Sequence, residues 1–216
     1  KKKVKEFFRF NEKEIKLFEK LNTPVKIQDF INSLKINYDY GADTCMSPRM
    51  VLNKNKAHCI EGALLAATIL RFHGYPPLIV DFEATKEDDD HVIAVFKKNG
   101  FWGAIGKTNH SVLRYREPIY KNIRELVMSF FHEYFVNSTG KKTLRNFSNP
   151  VNLKKFDNKN WMTAEKDVWF ISDYLTKIPH KKILTRSQIK SLRKADKIEI
   201  KAGKLLEYKK ALLKKS

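Results

Sequence analysis

The stretch from Cys59 to Phe72 constrains the fold of this chain more than any other. It reads CIEGALLAATILRF, apolar almost all round, which is typical of a helix enclosed within a core. Gly74 supplies a C-cap, and Pro76-Pro77 prevents the helix from continuing. We therefore expect a buried helix that begins at Cys59 and is covered by other elements of the fold.

The segments around this helix predict a mixed fold. Downstream, Leu78–Phe82, His91–Phe96 and Phe101–Ile105 are apolar stretches that predict strands. The last two are separated by Lys97-Lys98-Asn99-Gly100, a hairpin signal whose four-residue length leaves the turn type open. Upstream, helices are predicted over Glu12–Leu21 and from Pro24 to Leu34. Helices followed by an antiparallel sheet predict the α+β class.

The second half of the chain has weaker patterns. A helix is predicted over Ile123–Phe135, a long polar connection over Asn137–Asn160 and an aromatic helix over Ala164–Leu175. We divide the chain into a core with an N-terminal helical cap, residues 1–136, and a basic C-terminal extension, residues 137–216. We expect the extension to pack on the core at least to about residue 176.

Composition limits the classes of protein to which the chain can belong. With 42% hydrophobic and 12% aromatic residues it is too apolar for a disordered chain. It has no apolar run long enough for a membrane helix, so we expect no membrane association. Only Cys45 and Cys59 occur, which favours free thiols in a reducing compartment, namely the cytoplasm.

The net charge is +19, and much of it lies near the C-terminus. From Lys177 to Ser216 there are fourteen Lys and Arg residues and three acidic ones. Such a tail can attract nucleic acid or an acidic partner. The alternative is a solvated, lysine-rich surface without a specific partner.

Cys59 stands where the core helix is predicted to begin. A thiol at a helix N-terminus lies beside unpaired backbone N–H groups and the positive end of the helix dipole, which both favour the thiolate. The same N–H groups are placed to stabilise an oxyanion. The alternative is a buried cysteine that packs as a small apolar side chain.

His91 is the candidate base for this thiol. It follows an acidic loop and begins an apolar strand. If the sheet packs on the core helix, the start of this strand comes near the start of the helix, as a Cys–His pair requires. The alternative is a surface histidine at the end of a strand.

The segment from Lys56 to Pro76 resembles the core signature of the transglutaminase-like superfamily, which has a papain-like fold. That family shows Cys-x-Asp/Glu-x-Ala and then a helix that ends in Leu-Arg-x-x-Gly-apolar-Pro; this chain reads CIEGA and LRFHGYP. The family's catalytic histidine begins a later strand, as His91 does, and an aromatic residue matched by Trp102 lies in the strand after it. The resemblance covers about Pro24 to Thr108.

The resemblance implies a papain-like or transglutaminase-like core, in which the helix bearing the cysteine packs on an antiparallel sheet. It implies acyl transfer or hydrolysis of a peptide or amide substrate, of protease, amidase or transglutaminase type, by Cys59 and His91 without a cofactor or metal. The family's third catalytic residue, usually Asp, falls at Gly106, which has no side chain. Asn109, three residues on, is the candidate to orient His91 instead, with Asp90 and His110 as weaker substitutes.

Further candidates for the oxyanion or substrate site are Gln28, His58, Glu61 and Trp102. His58 also raises the alternative of a metal site with Cys45, Cys59 and His91, although no ligand spacing supports it. Gly106 favours another alternative, an inactive transglutaminase-like binding module that contacts acidic partners or nucleic acid through the basic tail. The sequence does not determine the oligomeric state.

Overall fold

A seven-stranded sheet organises the protein in the computed structural model, which describes residues 9–38 and 43–208. The sheet has the order β6-β5-β4-β3-β7-β9, and β8 also pairs with β3. Its strands are β3 Leu78–Glu83, β4 His91–Lys98, β5 Phe101–Ile105, β6 Arg116–Tyr120, β7 Asn146–Ser148, β8 Val151–Asn152 and β9 His180–Lys182. All of these pairs are antiparallel. A small parallel pair is formed by β1 Lys35–Ile36 and β2 Lys56–Ala57.

Helices cover this sheet. They are α1 Glu12–Lys20, α2 Pro24–Ser33, α3 Pro48–Lys54, α4 Cys59–Phe72, α5 Ile123–Met128, α6 Trp169–Leu175, α7 Arg186–Lys190 and α8 Lys197–Gly203. Two 3-10 segments occur, Phe131–Glu133 and Leu153–Lys159. The α+β prediction is confirmed, as are the helices that begin near Glu12, at Pro24 and at Cys59.

Both faces of the central strands are buried, which explains why they read as continuous apolar stretches. Alternate residues of β4 belong to different cores: Val92 and Ala94 pack with α4, and Ile93 and Val95 pack on the other side. Helix α4 lies in the first core, where nearly every one of its residues is inaccessible. The apolar character of α4 therefore follows from its position between the sheet and the N-terminal helices.

The β4–β5 hairpin is tighter than its sequence indicates. Lys98 pairs with Phe101, so the loop contains only Asn99 and Gly100. Both have positive φ, 51° and 86°, which is the type I′ geometry that matches the twist of the strands. The four-residue loop of the sequence analysis is thus a two-residue turn flanked by strand residues.

Three predicted segments differ from the structure. The helix expected over Ile123–Phe135 ends at Met128, and Phe131–Glu133 forms a separate 3-10 segment. The connection expected over Asn137–Asn160 contains β7, β8 and a 3-10 segment, whose few residues are too short to show periodicity.

The third difference is the helix expected over Ala164–Leu175, which begins only at Trp169. The residues before it are tied to the segment that precedes α3: the backbone N–H of Val168 donates to the Cys45 carbonyl at 2.7 Å, and the Ser47 hydroxyl donates to the Ala164 carbonyl. Helix α3 itself was missed, although Ser47-Pro48 is an N-cap followed by proline.

The division expected at residue 136 does not divide the sheet: strands β3–β6 precede this residue and β7–β9 follow it. The chain continues to pack on the core as far as Tyr208. Among residues 9–38 and 43–208, no helix is both long and apolar enough to cross a bilayer.

Candidate active site

Cys59 is the first residue of α4, with His58 as its N-cap. It is partly exposed, whereas Cys45 is buried, and neither thiol forms a disulfide. Burial and the nearby charge of Glu61 raise the pKa of the Cys45 thiol to about 12. Cys59, in contrast, lies beside N–H groups that have no partner within the helix. Of the two thiols, only Cys59 has the access and the surroundings of a nucleophile.

Two imidazoles act on the Cys59 sulfur. Burial by itself raises the pKa of Cys59, but hydrogen bonds from His58 and His91 outweigh it and bring that pKa down to about 5. Burial also disfavours charge on His58, yet the hydrogen bond to Cys59 and the attraction of Glu61 raise the pKa of His58 to about 9. At neutral pH this pair is therefore a thiolate and an imidazolium.

Glu61 holds the start of the helix in place. Its carboxylate is fully buried and accepts hydrogen bonds from the backbone N–H of His58 at 3.0 Å and of Met46 at 2.9 Å, and from the Thr44 hydroxyl at 2.7 Å. The His58 Nε2 atom lies 2.8 Å from the Thr44 carbonyl oxygen. Glu61 thus positions His58 against the thiol, and its carboxylate does not face the substrate site for which it was a candidate.

His91 is the first residue of β4 and is buried, with 7% exposure. Its Nε2 atom has no hydrogen-bond partner within the described part of the chain. A Cβ added to Gly106 would lie 3.7 Å from Nε2. The position where the resembled family has its third catalytic residue accordingly faces His91, but here it carries no side chain.

Gln28 is committed to the backbone of Gly106. Its Nε2 donates to the Gly106 carbonyl at 2.9 Å, and its Oε1 accepts the Gly106 N–H at 3.0 Å. The same Nε2 donates to Asn32 at 2.8 Å. Gln28 fixes the end of β5 opposite His91, and its amide is occupied, so the structure does not place it as an oxyanion donor.

Asn109 does not orient His91 in this structure. Its Nδ2 donates to the Tyr38 hydroxyl at 2.8 Å and to the Tyr208 carbonyl at 2.9 Å, and its Oδ1 accepts the Tyr208 N–H at 2.9 Å. The sequence expectation for Asn109 fails because its amide holds a segment from the far end of the chain. That segment was not expected near the site, since no local pattern marks a contact between residues 99 apart.

This C-terminal segment, residues 202–208, lies along the loop that follows β5, and we call it the strap. Its backbone pairs with the loop through Ser111 N–H to Leu205 carbonyl at 3.2 Å and Glu207 N–H to Asn109 carbonyl at 2.9 Å. Arg114 and Glu207 add an ion pair at 2.9 Å.

Trp102 lies away from the thiol. It pairs with Lys97, six residues along β4 from His91, which corresponds to roughly 20 Å at the usual strand rise of ~3.3 Å per residue. Lys97 lies over its ring, 5.5 Å from the centroid. Trp102 packs on the second core, so the structure does not bring it into the site.

A pocket of about 220 Å³ opens at Cys59 and His91. The acidic loop before β4 forms one wall, and the loop after β5 forms another, with Gly203 of the strap at its edge. Small-molecule sites usually enclose roughly 300–1,000 Å³. The pocket is therefore of a size for one side chain or a short acyl group beside the thiol.

Lys107 also lines this pocket. The sequence did not predict it as a site residue, because nothing in the sequence distinguishes this lysine from the many others in so basic a chain. It is 1% exposed, and its ammonium donates to the Leu34 carbonyl. Burial lowers the pKa of Lys107 to about 8. A Cβ on Gly62 would come within 2.4 Å of the Lys107 Cβ, so glycine at position 62 lets this side chain pass the first turn of α4.

No group of three or more His, Cys, Asp or Glu side chains within residues 9–38 and 43–208 is arranged to hold a metal ion. The grouping of His58, Cys45, Cys59 and His91 considered above is therefore not a metal site in this structure. In comparisons with known proteins, no family model matches this chain and no curated protein matches it.

Proposed function

We propose that this protein is a cysteine-dependent acyl-transfer or amide-hydrolysing enzyme with Cys59 as its nucleophile and His91 as its base. The observation that carries the proposal is the place of Cys59 at the start of α4, where it lines a small pocket together with His91 and where hydrogen bonds from His58 and His91 lower its pKa to about 5. A cysteine with a purely structural role does not require a lowered pKa, whereas a nucleophilic cysteine must be ionised at the pH at which it works.

The proposed reaction proceeds through a thioester. The Cys59 thiolate attacks the substrate carbonyl carbon, a C–S bond forms, and the oxygen takes the negative charge next to the N–H groups at the start of α4. The C–N bond then breaks, and His91 delivers the proton that the leaving amine takes, while the His58 imidazolium stays beside the sulfur. Water or a second amine gives a proton back to His91 and attacks the thioester, which releases the acyl group and regenerates the thiolate.

Several features support a relationship to the transglutaminase-like, papain-type core. The helix that begins with Cys59 packs on an antiparallel sheet. His91 is the first residue of β4, which pairs with β3 in that sheet. A Cβ at position 106 would lie 3.7 Å from the Nε2 of His91, where the third residue of that family would orient the imidazole. The small pocket fits the proposal of a peptide or amide substrate presented by one side chain.

The proposal is tested with p-nitrophenyl acetate, an activated acyl donor that needs no knowledge of the natural substrate. We expect a burst of one p-nitrophenolate per protein and an acetyl group on Cys59 by mass spectrometry. Cys45→Ala serves as the matched control and keeps the burst, whereas Cys59→Ala loses it. A burst that survives in Cys59→Ala, or an acetyl group found elsewhere, refutes the proposal.

A second candidate, a binding module that has lost catalysis, is favoured by the Nε2 of His91, for which residues 9–38 and 43–208 provide no hydrogen-bond partner. When no side chain at position 106 orients the imidazole, the rate of the reaction it catalyses can fall by orders of magnitude. This candidate predicts acetylation of Cys59 without turnover: the acyl group stays on the thiol, and no amine or water removes it within hours.

A further inference from the structure

Three arginines of this protein line one groove on the side of the sheet that carries β9. The groove has a volume of about 800 Å³, and Arg124, Arg145 and Arg186 lie around it together with Lys182. Its other lining residues are uncharged, and no Asp or Glu is among them. We call this feature the basic groove.

The arginines of the basic groove differ from most others in the described chain. Five arginines form ion pairs with carboxylates: Arg49, Arg71, Arg114, Arg116 and Arg193. No ion pair is found for Arg124, Arg145, Arg186 or Lys182 within residues 9–38 and 43–208. Five arginines are thus neutralised by ion pairs, whereas the three around this cavity have no carboxylate at ion-pair distance within the described residues, and Glu87 acts on Arg145 only from farther away.

Backbone carbonyls hold two of these guanidinium groups in place. Arg145 donates to the carbonyls of Leu144 and Lys142, both at 2.9 Å, and Arg124 donates to the Ile183 carbonyl at 3.1 Å. Carbonyls orient a guanidinium without cancelling its charge, so its remaining N–H groups stay available for an anion. Pre-positioned cations of this kind favour a ligand that carries several negative charges.

The charge extends beyond the groove. Residues 177–194 contain seven Lys and Arg and no Asp or Glu, and β9 within them is the edge strand of the sheet. A single phosphate would use only the groove, whereas an extended polyanion could follow the whole segment. No aromatic ring lines the groove, so stacking on bases is not part of the recognition.

We propose that the basic groove binds the phosphodiester backbone of a nucleic acid without sequence preference. Four cations that each neutralise one phosphate give a slope of log affinity against log salt of about −2.8 for a single strand. This slope corresponds to a loss of roughly 50-fold in affinity between 50 and 200 mM salt.

The test measures fluorescence anisotropy of a labelled single-stranded oligonucleotide of mixed sequence, titrated with the full chain at several salt concentrations. Lys182→Gln/Arg186→Gln removes two cations whose side chains are exposed. We expect its affinity to fall only about 7-fold between 50 and 200 mM salt, because two phosphate contacts remain. Lys13→Gln/Lys20→Gln, on exposed positions of α1, loses the same charge and should keep the 50-fold dependence.

Several outcomes overturn the proposal. One is the absence of binding at 50 mM salt; another is an equal loss of affinity in both double variants, which would mean attraction by net charge alone. Poly-glutamate of matched charge, or vesicles rich in phosphatidylserine, binding as tightly as the oligonucleotide would assign the groove to an acidic protein or a membrane. Tight binding of ATP without binding of the oligonucleotide would assign it to a small phosphate ligand.

Discussion

The ionisation of Cys59 is the property from which the candidate chemistry follows, and its titration can be predicted in detail. With a pKa of about 5, Cys59 is roughly 90% thiolate at pH 6, whereas an ordinary thiol of pKa about 8.5 is roughly 0.3% thiolate. This is an advantage of about 300-fold in the reactive form.

Part of this advantage is offset, because a less basic thiolate is also a weaker nucleophile. With a Brønsted coefficient of about 0.4–0.5, the lower pKa costs Cys59 roughly 40-fold in intrinsic reactivity. Cys59 should then be alkylated about 7-fold faster than an ordinary thiol at pH 6, and at about the same rate as an ordinary thiol at pH 7. A single rate at neutral pH therefore does not identify the thiolate, and the midpoint of the pH profile does.

The assay is the rate of alkylation of Cys59 by iodoacetamide from pH 4 to pH 9, in a Cys45→Ala background. We expect a midpoint near 5 and a plateau above pH 6. His58→Ala and His91→Ala each remove one hydrogen-bond donor, so each should raise the midpoint by about 1–2 pH units. A wild-type midpoint near 8.5, or a midpoint that neither substitution moves, refutes the reasoning.

Three further predictions concern the neighbours of the thiol. Gly106→Asp should release acyl groups from Cys59 about 10–100-fold faster than wild type, because it gives His91 a carboxylate partner. An orienting carboxylate can raise the catalytic rate by orders of magnitude. The measurement is the steady rate of p-nitrophenolate release after the burst. Glu61→Gln should lower the free energy of unfolding in urea by about 2–4 kcal/mol, since a buried acceptor of several hydrogen bonds becomes partly a donor. Asn109→Ala should increase hydrogen exchange in the strap and leave the Cys59 midpoint unchanged, because its amide bonds to Tyr208 and not to His91.

Each of these predictions has a control. Gly106→Ala adds a Cβ without a carboxylate, and an equal gain in that variant would contradict the orienting role. The new Cβ lies 3.1 Å from the Leu113 carbonyl oxygen, so both variants should lose some stability. Glu12→Gln removes an exposed carboxylate and should cost well under 1 kcal/mol. A shift of the Cys59 midpoint in Asn109→Ala would restore Asn109 to the orienting role.

The start and end of α4 could be predicted because the signals are local. Apolar residues fill every side of the helix, and Gly74 and the prolines after it forbid continuation. The β4–β5 hairpin was predictable for the same reason, since Asn99-Gly100 is a turn that short-range sterics favour.

The rest of the site depends on contacts that local patterns do not encode. His58 adjoins Cys59 in sequence, but its role follows from Glu61 and Thr44, which fix the direction of its ring. The occupied amide of Gln28 and the strap on Asn109 join residues 78 and 99 apart. Spacing alone could identify the candidate pair of Cys59 and His91, but not which polar neighbours were already committed elsewhere.

The strap has a consequence for the order in which this protein is made. Asn109 is translated before Tyr208, its partner 99 residues later, and synthesis at about 5–20 residues per second separates the two by roughly 5–20 s. During that interval the residues of the thiol-bearing helix and of the β4–β5 hairpin have been synthesised, while those of the strap have not. The strap can therefore reach the pocket only after the residues proposed to carry the chemistry have been synthesised.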